Sequence, residues 1–473
     1  MPKKAASSEL TFGTRIAAMS LPQWLYQELR QAILAGRLSR GSRLPATRDL
    51  ARQYGVSRGS VVTAFEQLLS EGYLSTRIGA GTFVNARLPD DLAHVVRASS
   101  APSTQRLSEH SPARPFRFYQ PALDAFPMDV WARVASRRLR KASSLQLSSG
   151  DPAGYAPLRE TVADYLGRFR GVVCRPEQVL IVSGTNQSLD LVARLLIQPG
   201  DSVCMEDPGY NGAADVFRAA KARIIPVAVD RHGMKPAARV SRAKAAYITP
   251  AHQFPLGMTM PAERRLAILE WARGSGTHIL EDDYDSEYRY GARPVPAMQG
   301  LDRHGSVLFM GSFSKVLFPA LRLGYLVVPD RLIDPLRSLR FSLDRFSPSL
   351  DQAILCDFID EGHFSRHLRR MRDLYASRLE ALREAVAKHL AGALELSPIE
   401  AGLHIAAHLR IDIPAREIEA RASQRGIEMF TLDRFALKRD DLNGLLLGFA
   451  AFDERAIERG VDQLAGIIDR LIT

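Results

Sequence analysis

In the stretch GSFSKVLFPALRLGY, Lys315 lies between Ser314 and Val316, and Arg322 follows seven residues later. A lysine that is to attack a carbonyl carbon must be free of an ion pair, because only its neutral amine is nucleophilic. The Ser, Gly and Phe residues ahead of Lys315 offer no carboxylate to hold it as ammonium. An arginine downstream is suited to the anion that would anchor such a carbonyl compound. The same residues also read as a surface lysine at a strand end, since this short pattern arises by chance.

About thirty residues upstream, THILEDDYDSEYRY is an apolar run that ends in acids and tyrosines. It reads as a buried strand that delivers carboxylates to its C-terminal edge, where ligands bind in open α/β sheets. A pyridine nitrogen that must stay protonated needs an acid against it, and Asp282 is expected there. Tyr284 falls on the same face of an extended segment and is expected to donate to a ring hydroxyl. On this reading Asp283 and Asp285 point the other way and are solvated or cap a helix. Further upstream, EQVLIVSGTNQSLDLVARLL reads as strand, turn and helix. Ser183, Gly184 and Thr185 open that helix, where free amides and the helix dipole favour a phosphate, although many such turns bind nothing. In DSVCMEDPGYNG, Tyr210 reaches the same edge either as a stacking partner for a planar ring or as a surface turn tyrosine. Phosphate turn, aromatic ring, acid with tyrosine, and lysine together point to pyridoxal 5'-phosphate.

In this order the motifs resemble those of the fold-type I aminotransferases, over roughly residues 115–473. The resemblance implies an α/β fold in which the Ser-Gly-Thr turn and Ser312 with Arg322 hold the phosphate, while Asp282, Tyr284 and Lys315 take the roles given above. Two departures stand out. The segment TPAHQFPLG, Thr249 to Gly257, replaces the Asn-Pro-x-Gly of the family, leaving Gln253 or His252 as candidate substitutes for the asparagine. In NGLLLGFAAF, Leu446 occupies the position of the arginine that clamps a substrate carboxylate. Arg434 and Arg439 are the alternatives, and an ordinary α-amino acid is disfavoured as a ligand, because a bidentate clamp requires the guanidinium fork. His404, in the alternating pattern EAGLHIAAHL, reads as a satisfied core histidine.

The first part of the chain has a different organisation. LPQWLYQELRQAILAG shows an amphipathic helical period closed by Gly36. Thr47 is expected to cap a short helix to about Tyr54, Ser57 a second helix to about Glu71, and YLSTRIGAGTFV to form a hairpin through Gly79 and Gly81. This is a winged helix-turn-helix, whose second helix is expected in a DNA major groove. Residues 1–88 carry twelve Lys or Arg against five Asp or Glu, the concentrated positive field that a phosphate backbone attracts. Arg43, Arg48, Arg58, Ser60, Thr63, Arg77 and Thr82 are the candidate DNA contacts. LPATRDLARQYGVSRGSV followed by EGYLSTRIGAGTFV resembles the GntR-type DNA-binding domain. A GntR-like head in front of an aminotransferase-like domain is the layout of the MocR group of bacterial regulators. That resemblance implies a cytoplasmic transcription regulator forming a head-to-tail homodimer, with residues 15–86 as the DNA-binding domain, 87–115 as a flexible linker and 116–473 as the effector domain.

Composition agrees with this division. A chain of 473 residues with 46% apolar content can bury a large core and should hold more than one domain. Cys174, Cys204 and Cys356 are too widely spaced to suggest a disulfide framework or a metal site, and no apolar stretch has membrane-spanning length. The six basic groups from His363 to Arg372 read as a solvated helix face or a second DNA surface. Two functions remain open. One is a DNA-binding regulator that senses an amine, an amino compound or pyridoxal phosphate itself; the other is a working aminotransferase with a DNA-binding head.

Overall fold

The computed structural model describes residues 19–77, 79–89, 114–236, 242–290 and 295–472, and divides the chain into two units, Met1–His110 and Ser111–Thr473. Most of the expected linker lies outside the described residues. In the first unit, helix α1 (Leu21–Leu34) buries Leu25, Leu29, Ala32 and Ile33, the spacing that puts one apolar stripe on the core side. Helix α2 (Thr47–Tyr54) stops at Gly55, whose φ of 63° turns the chain out of the helix. Helix α3 (Arg58–Ser70) starts from Ser57, whose Oγ accepts the Ser60 amide at 3.1 Å. Thr47 is the first helical residue of α2 and not its cap, because Ala46 holds the extended backbone angles of the N-cap position. Strands β1 (Leu74–Arg77) and β2 (Gly81–Val84) pair antiparallel with Leu74 opposite Val84, and their inward residues join Leu25, Val61, Phe65 and Leu68 in one core.

The second unit is built on an eight-stranded sheet. Its strands are β3 (Val179–Val182), β4 (Ser202–Asp207), β5 (Arg223–Asp230), β6 (Gly233–Met234), β7 (Ala245–Ile248), β8 (His278–Asp283), β9 (Val307–Ser312) and β10 (Gly324–Val327). Their order is β3-β10-β9-β8-β7-β4-β5-β6, with β4, β5, β7, β8 and β9 parallel and β10 antiparallel to both neighbours. Strands β3, β4 and β7 are buried along their whole length, β3 and β7 as unbroken apolar runs and β4 with Glu206 and Asp207 at its C-terminal end, as in a sheet covered on both faces. The close fit of β10 depends on Gly324, since a Cβ there would lie 2.6 Å from the Gly311 carbonyl oxygen and 3.1 Å from the Gly184 Cα.

A four-stranded antiparallel sheet follows, β11 (Leu394–Leu396), β12 (His404–Leu409), β13 (Phe430–Thr431) and β14 (Gly444–Gly448), in the order β11-β12-β14-β13. The helix His363–His389 buries Phe364, Leu368, Met371, Tyr375, Leu379, Leu382 and Val386 at helical spacing. Of its six basic groups Arg366, Arg369, Arg370 and Arg372 are exposed, as expected of a solvated face, while His367 is buried. Arg370 and Arg372 donate to the carbonyls of Ala125 and Glu287, and His367 Nε2 donates to that of Val316 at 3.0 Å. Tyr375 Oη accepts the Ala122 amide at 3.0 Å and so fixes the segment that leads away from Phe118 and Tyr119.

Candidate functional site

The ends of β3, β4, β7, β8 and β9 and the start of β12 enclose a cleft of about 360 Å³. Lys315 enters it from the short helix Phe313–Val316, which Ser312 caps by accepting the Ser314 amide at 3.2 Å. Its Nζ donates to the Tyr119 carbonyl at 3.0 Å and lies 4.4 Å from the centre of the Tyr119 ring. Burial pushes the Lys315 amine down to about 8, against the pull of Asp285 and Asp282. A substantial neutral fraction is therefore present near physiological pH, as a nucleophilic lysine requires.

Asp282 stands at the end of β8 and is 4% exposed. Tyr247 Oη donates to its Oδ2 at 2.7 Å, while Oδ1 is buried with no hydrogen-bond partner among the described residues. Burial raises this carboxyl to about 7, opposed first by the Tyr247 hydrogen bond. Tyr284 also lines the cleft, and its Oη lies 3.0 Å from His252 Nδ1, which is 2.9 Å from Asp285 Oδ1. A carboxylate can only accept. The proton is therefore on Nδ1, Tyr284 shares it as a second acceptor, and the phenol's own proton remains free for a group in the cleft. Tyr210 caps the helix Asn211–Ala219, lines the cleft and donates to Asn186 Oδ1 at 3.1 Å.

The other end of the cleft suits an anion. Gly184, at φ 121°, opens the helix Thr185–Leu196 and presents that helix's N-terminal amides. A Cβ on Gly184 would lie 3.8 Å from a guanidinium nitrogen of Arg322, so the arginine sits directly over the turn. Among the described residues no carboxylate pairs with Arg322. Gly184, Thr185, Asn186, Ser312, Ser314 and Arg322 all line the cleft here, and Ser314 Oγ is buried without a hydrogen-bond partner among the described residues. Ser183 does not line it, and its amide donates to Gln187 Oε1 at 2.7 Å.

Two families match the chain, aminotransferase class I and II over residues 119–409 and the gntR family of bacterial regulatory proteins over residues 22–84. The probable rhizopine catabolism regulatory protein MocR of Rhizobium meliloti is 38% identical, with 95% of this chain and 94% of that protein covered. The chain belongs to the MocR-type transcription regulators. The pyridoxine biosynthesis transcriptional regulator PdxR of Corynebacterium glutamicum is 32% identical over 92% of this chain and 93% of its own length. The large unit of this regulator also resembles the kynurenine aminotransferase of Pyrococcus horikoshii, solved with PMP, at a TM-score of 0.72 and 27% identity, covering 81% of this chain and all of that one.

Several residues of this MocR-type chain stand otherwise than its sequence suggests. Asp283 and Asp285 are buried, not solvated. Asp283 pairs with Arg170 at 2.6 Å, and Asp285 holds His252 and lines the cleft. Gln253 points away from the cleft, donating to the carbonyls of Pro208 and Phe254, and so does not take the missing asparagine's place. Arg434 is bound to Glu419 at 2.9 Å and Arg439 to Asp441 at 2.6 Å, both outside the cleft. His404 lines the cleft, and its buried Nε2 has no hydrogen-bond partner among the described residues, so it is not a satisfied core residue. Phe118, Tyr119, Asn186, Thr249 and Ser314 are cleft residues that the sequence does not signal; only the position of Ser314 beside Lys315 hints at a role.

In the small unit of the regulator, Arg43, Arg48, Arg58 and Thr63 are exposed, while Ser60 and Thr82 are half-buried. Arg77 is exposed and lies 4.8 Å from the centre of the Phe83 ring. Thr63 Oγ1 donates to the Gly59 carbonyl at 3.1 Å, and the Arg43 guanidinium lies against Gly81 in the hairpin turn, 2.8 Å from where a Cβ would stand. Arg58 and Thr63 thus lie on the solvent side of α3, opposite its buried Val61, Ala64, Phe65 and Leu68.

Proposed function

We propose that this regulator binds pyridoxal 5'-phosphate at Lys315 and couples an amine, an amino compound or the cofactor itself to DNA binding by its small unit. One observation carries the reading: a lysine with a lowered pKa and a buried carboxylate line the same cleft as an anion cradle, and among the described residues neither Asp282 Oδ1 nor the Ser314 hydroxyl of that cradle has a hydrogen-bond partner. These donors and acceptors fit the cofactor. When bound, it supplies an aldehyde carbon that amines attack and a ring that withdraws electrons. Lys315 presents a neutral amine, and Asp282 holds a proton at the ring nitrogen. Tyr284 donates its free proton to the ring hydroxyl, and Tyr210 offers a flat face. Gly184, Thr185, Ser312 and Arg322 bind the phosphate, while Ser183 shapes the turn. The name of the pyridoxine biosynthesis regulator and the PMP in the kynurenine aminotransferase structure support the same cofactor.

The small unit contacts operator DNA through Arg43, Arg48, Arg58, Ser60, Thr63, Arg77 and Thr82. Residues 15–86 form the DNA-binding domain, 87–115 the linker and 116–473 the effector domain, in a cytoplasmic head-to-tail homodimer. Among the described residues no helix is long and apolar enough to cross a membrane. The aminotransferase reading rests on the same Lys315, Asp282 and Tyr284, and steady release of a keto product would favour it over sensing.

The test is Lys315→Ala. The wild-type protein incubated with pyridoxal phosphate is expected to show a visible absorbance band and to be labelled covalently on borohydride reduction. The variant is expected to lose both, and a variant that kept the covalent label would refute the assignment.

A further inference from the structure

Apart from the groups assigned to the cofactor, the cleft wall includes Phe118, Tyr119, Thr249, Phe254, Leu403 and His404. The Thr249 hydroxyl is committed, donating to Glu206 Oε2 at 2.7 Å and accepting the Phe254 amide at 3.0 Å. Behind Phe118 and Phe254 lies an apolar cluster that includes Ala406, Leu432 and the fully buried Leu446. A carboxylate brought against this wall would be desolvated, and among the described cleft residues the one guanidinium is that of Arg322, assigned to the phosphate, since Arg434 and Arg439 are held elsewhere by Glu419 and Asp441.

His404 offers something different. Its ring forms a triangle with Tyr284, nearly parallel at 6.2 Å, and His252 at 5.1 Å, with Phe254 edge-on at 5.6 Å. The residue is 2% exposed, and its Nε2 has no hydrogen-bond partner among the described residues. Burial, then the nearby His252 and Lys315, hold its pKa well below the usual histidine range, so the imidazole is neutral. A buried polar atom with nothing to bind is costly, and a ligand that supplies the partner gains that cost back as selectivity. A neutral imidazole can meet a hydroxyl as donor or acceptor, whereas it cannot neutralise a carboxylate.

We propose that His404 makes this cleft selective for an amine that carries an uncharged hydroxyl in place of a carboxylate, an amino alcohol and not an amino acid. The proposal rests on the reading that Lys315 holds pyridoxal phosphate. It is tested on the purified full chain loaded with that cofactor, by following the visible absorbance while ethanolamine is compared with glycine and propanolamine with β-alanine. Ethylamine and propylamine serve as references. Each amino alcohol is expected to act at a concentration about tenfold or more below that of its acid, equivalent to about 1.4 kcal/mol, and severalfold below that of its alkylamine. His404→Phe is expected to erase the advantage over the alkylamine, His404→Gln to keep part of it, and Leu446→Arg to raise the affinity for the acid. If any of the three variants fails to fold, the wild-type ranking decides alone. An acid that acts as readily as its alcohol overturns the proposal, as does an alkylamine that equals the alcohol. A wild-type protein that forms no visible band at all overturns the cofactor reading together with this one.

Discussion

Lys315, Asp282 and Glu206 share one physical situation: each is an ionisable group whose charge is poorly solvated. Burial lowers Lys315 to about 8 and raises Asp282 and Glu206 to about 7. Both carboxyls bind protons more tightly in the folded than in the unfolded chain, so they contribute stability that is present at low pH and lost as pH rises through about 7. In the whole chain His278, His367 and His404, whose pKa values burial lowers, oppose this slope. In the cofactor-free protein Glu206→Gln or Asp282→Asn is therefore expected, compared with wild type, to shift the melting temperature at about pH 7.5 upward relative to that at about pH 5.5. Thermal denaturation at the two pH values checks this; an unchanged slope in both variants would mean that other groups carry it. Lys315 acts in another window. Its neutral fraction grows as pH rises through about 8, so the rate at which the cofactor-free protein captures pyridoxal phosphate is expected to rise there and then level off, measured by stopped-flow absorbance.

At the scale of elements, function depends on where helices begin. The helix Thr185–Leu196 presents its amides to the cleft because Gly184 adopts φ 121°, and Gly324 lets β10 lie against Gly311 and Gly184. Gly324→Ala forces backbone apart at that junction. It is expected to destabilise the protein by about 1–3 kcal/mol and to weaken cofactor binding with it, read by denaturant unfolding and by absorbance titration. In the small unit, α3 begins at Arg58 under the Ser57 cap. Ser57→Ala is expected to cost about 1 kcal/mol of stability. Arg58→Ala is expected to weaken operator binding by on the order of 1–3 kcal/mol while leaving cofactor absorbance intact, since helix-turn-helix proteins contact bases from that end. Unchanged operator affinity would remove Arg58 from the contact set.

At the scale of the whole molecule, a sensor must bind its effector unequally in its DNA-competent and DNA-incompetent arrangements, because equal affinity shifts nothing. Lys315→Ala is thus expected to keep operator binding while losing the transcriptional response to the effector, and a reporter that still responded would place the switch elsewhere. The linker's expected role is reach. Gly/Ser replacements within residues 95–110 should be tolerated in the same reporter, and long deletions there should not. A fragment of residues 1–88 is expected to bind operator far more weakly than the full chain, since the proposed dimer would engage two half-sites at once.

The amino-acid sequence by itself determined what depends on near neighbours. The period of α1, the Ser57 cap, the glycines of the hairpin and the buried runs of β3, β4 and β8 are set by residues within one or two turns of each other, and each is legible in order along the chain. The positions of Lys315, Asp282, Gly184 and Tyr210 were legible for the same reason, because each lies at the end of such a run. Only the tertiary structure decided which distant groups meet. The Tyr119 carbonyl reaches Lys315 across 196 residues, Arg170 takes Asp283 across 113, and Asp285 holds His252 across 33. No local period encodes these pairings; strand order and the return of the chain before Ala122 create them. The environment of His404 is of this kind as well. Its alternating strand pattern showed one face to be buried, but the close approach of Tyr284, His252 and Phe254 is what leaves a neutral imidazole nitrogen without a partner beside the cleft.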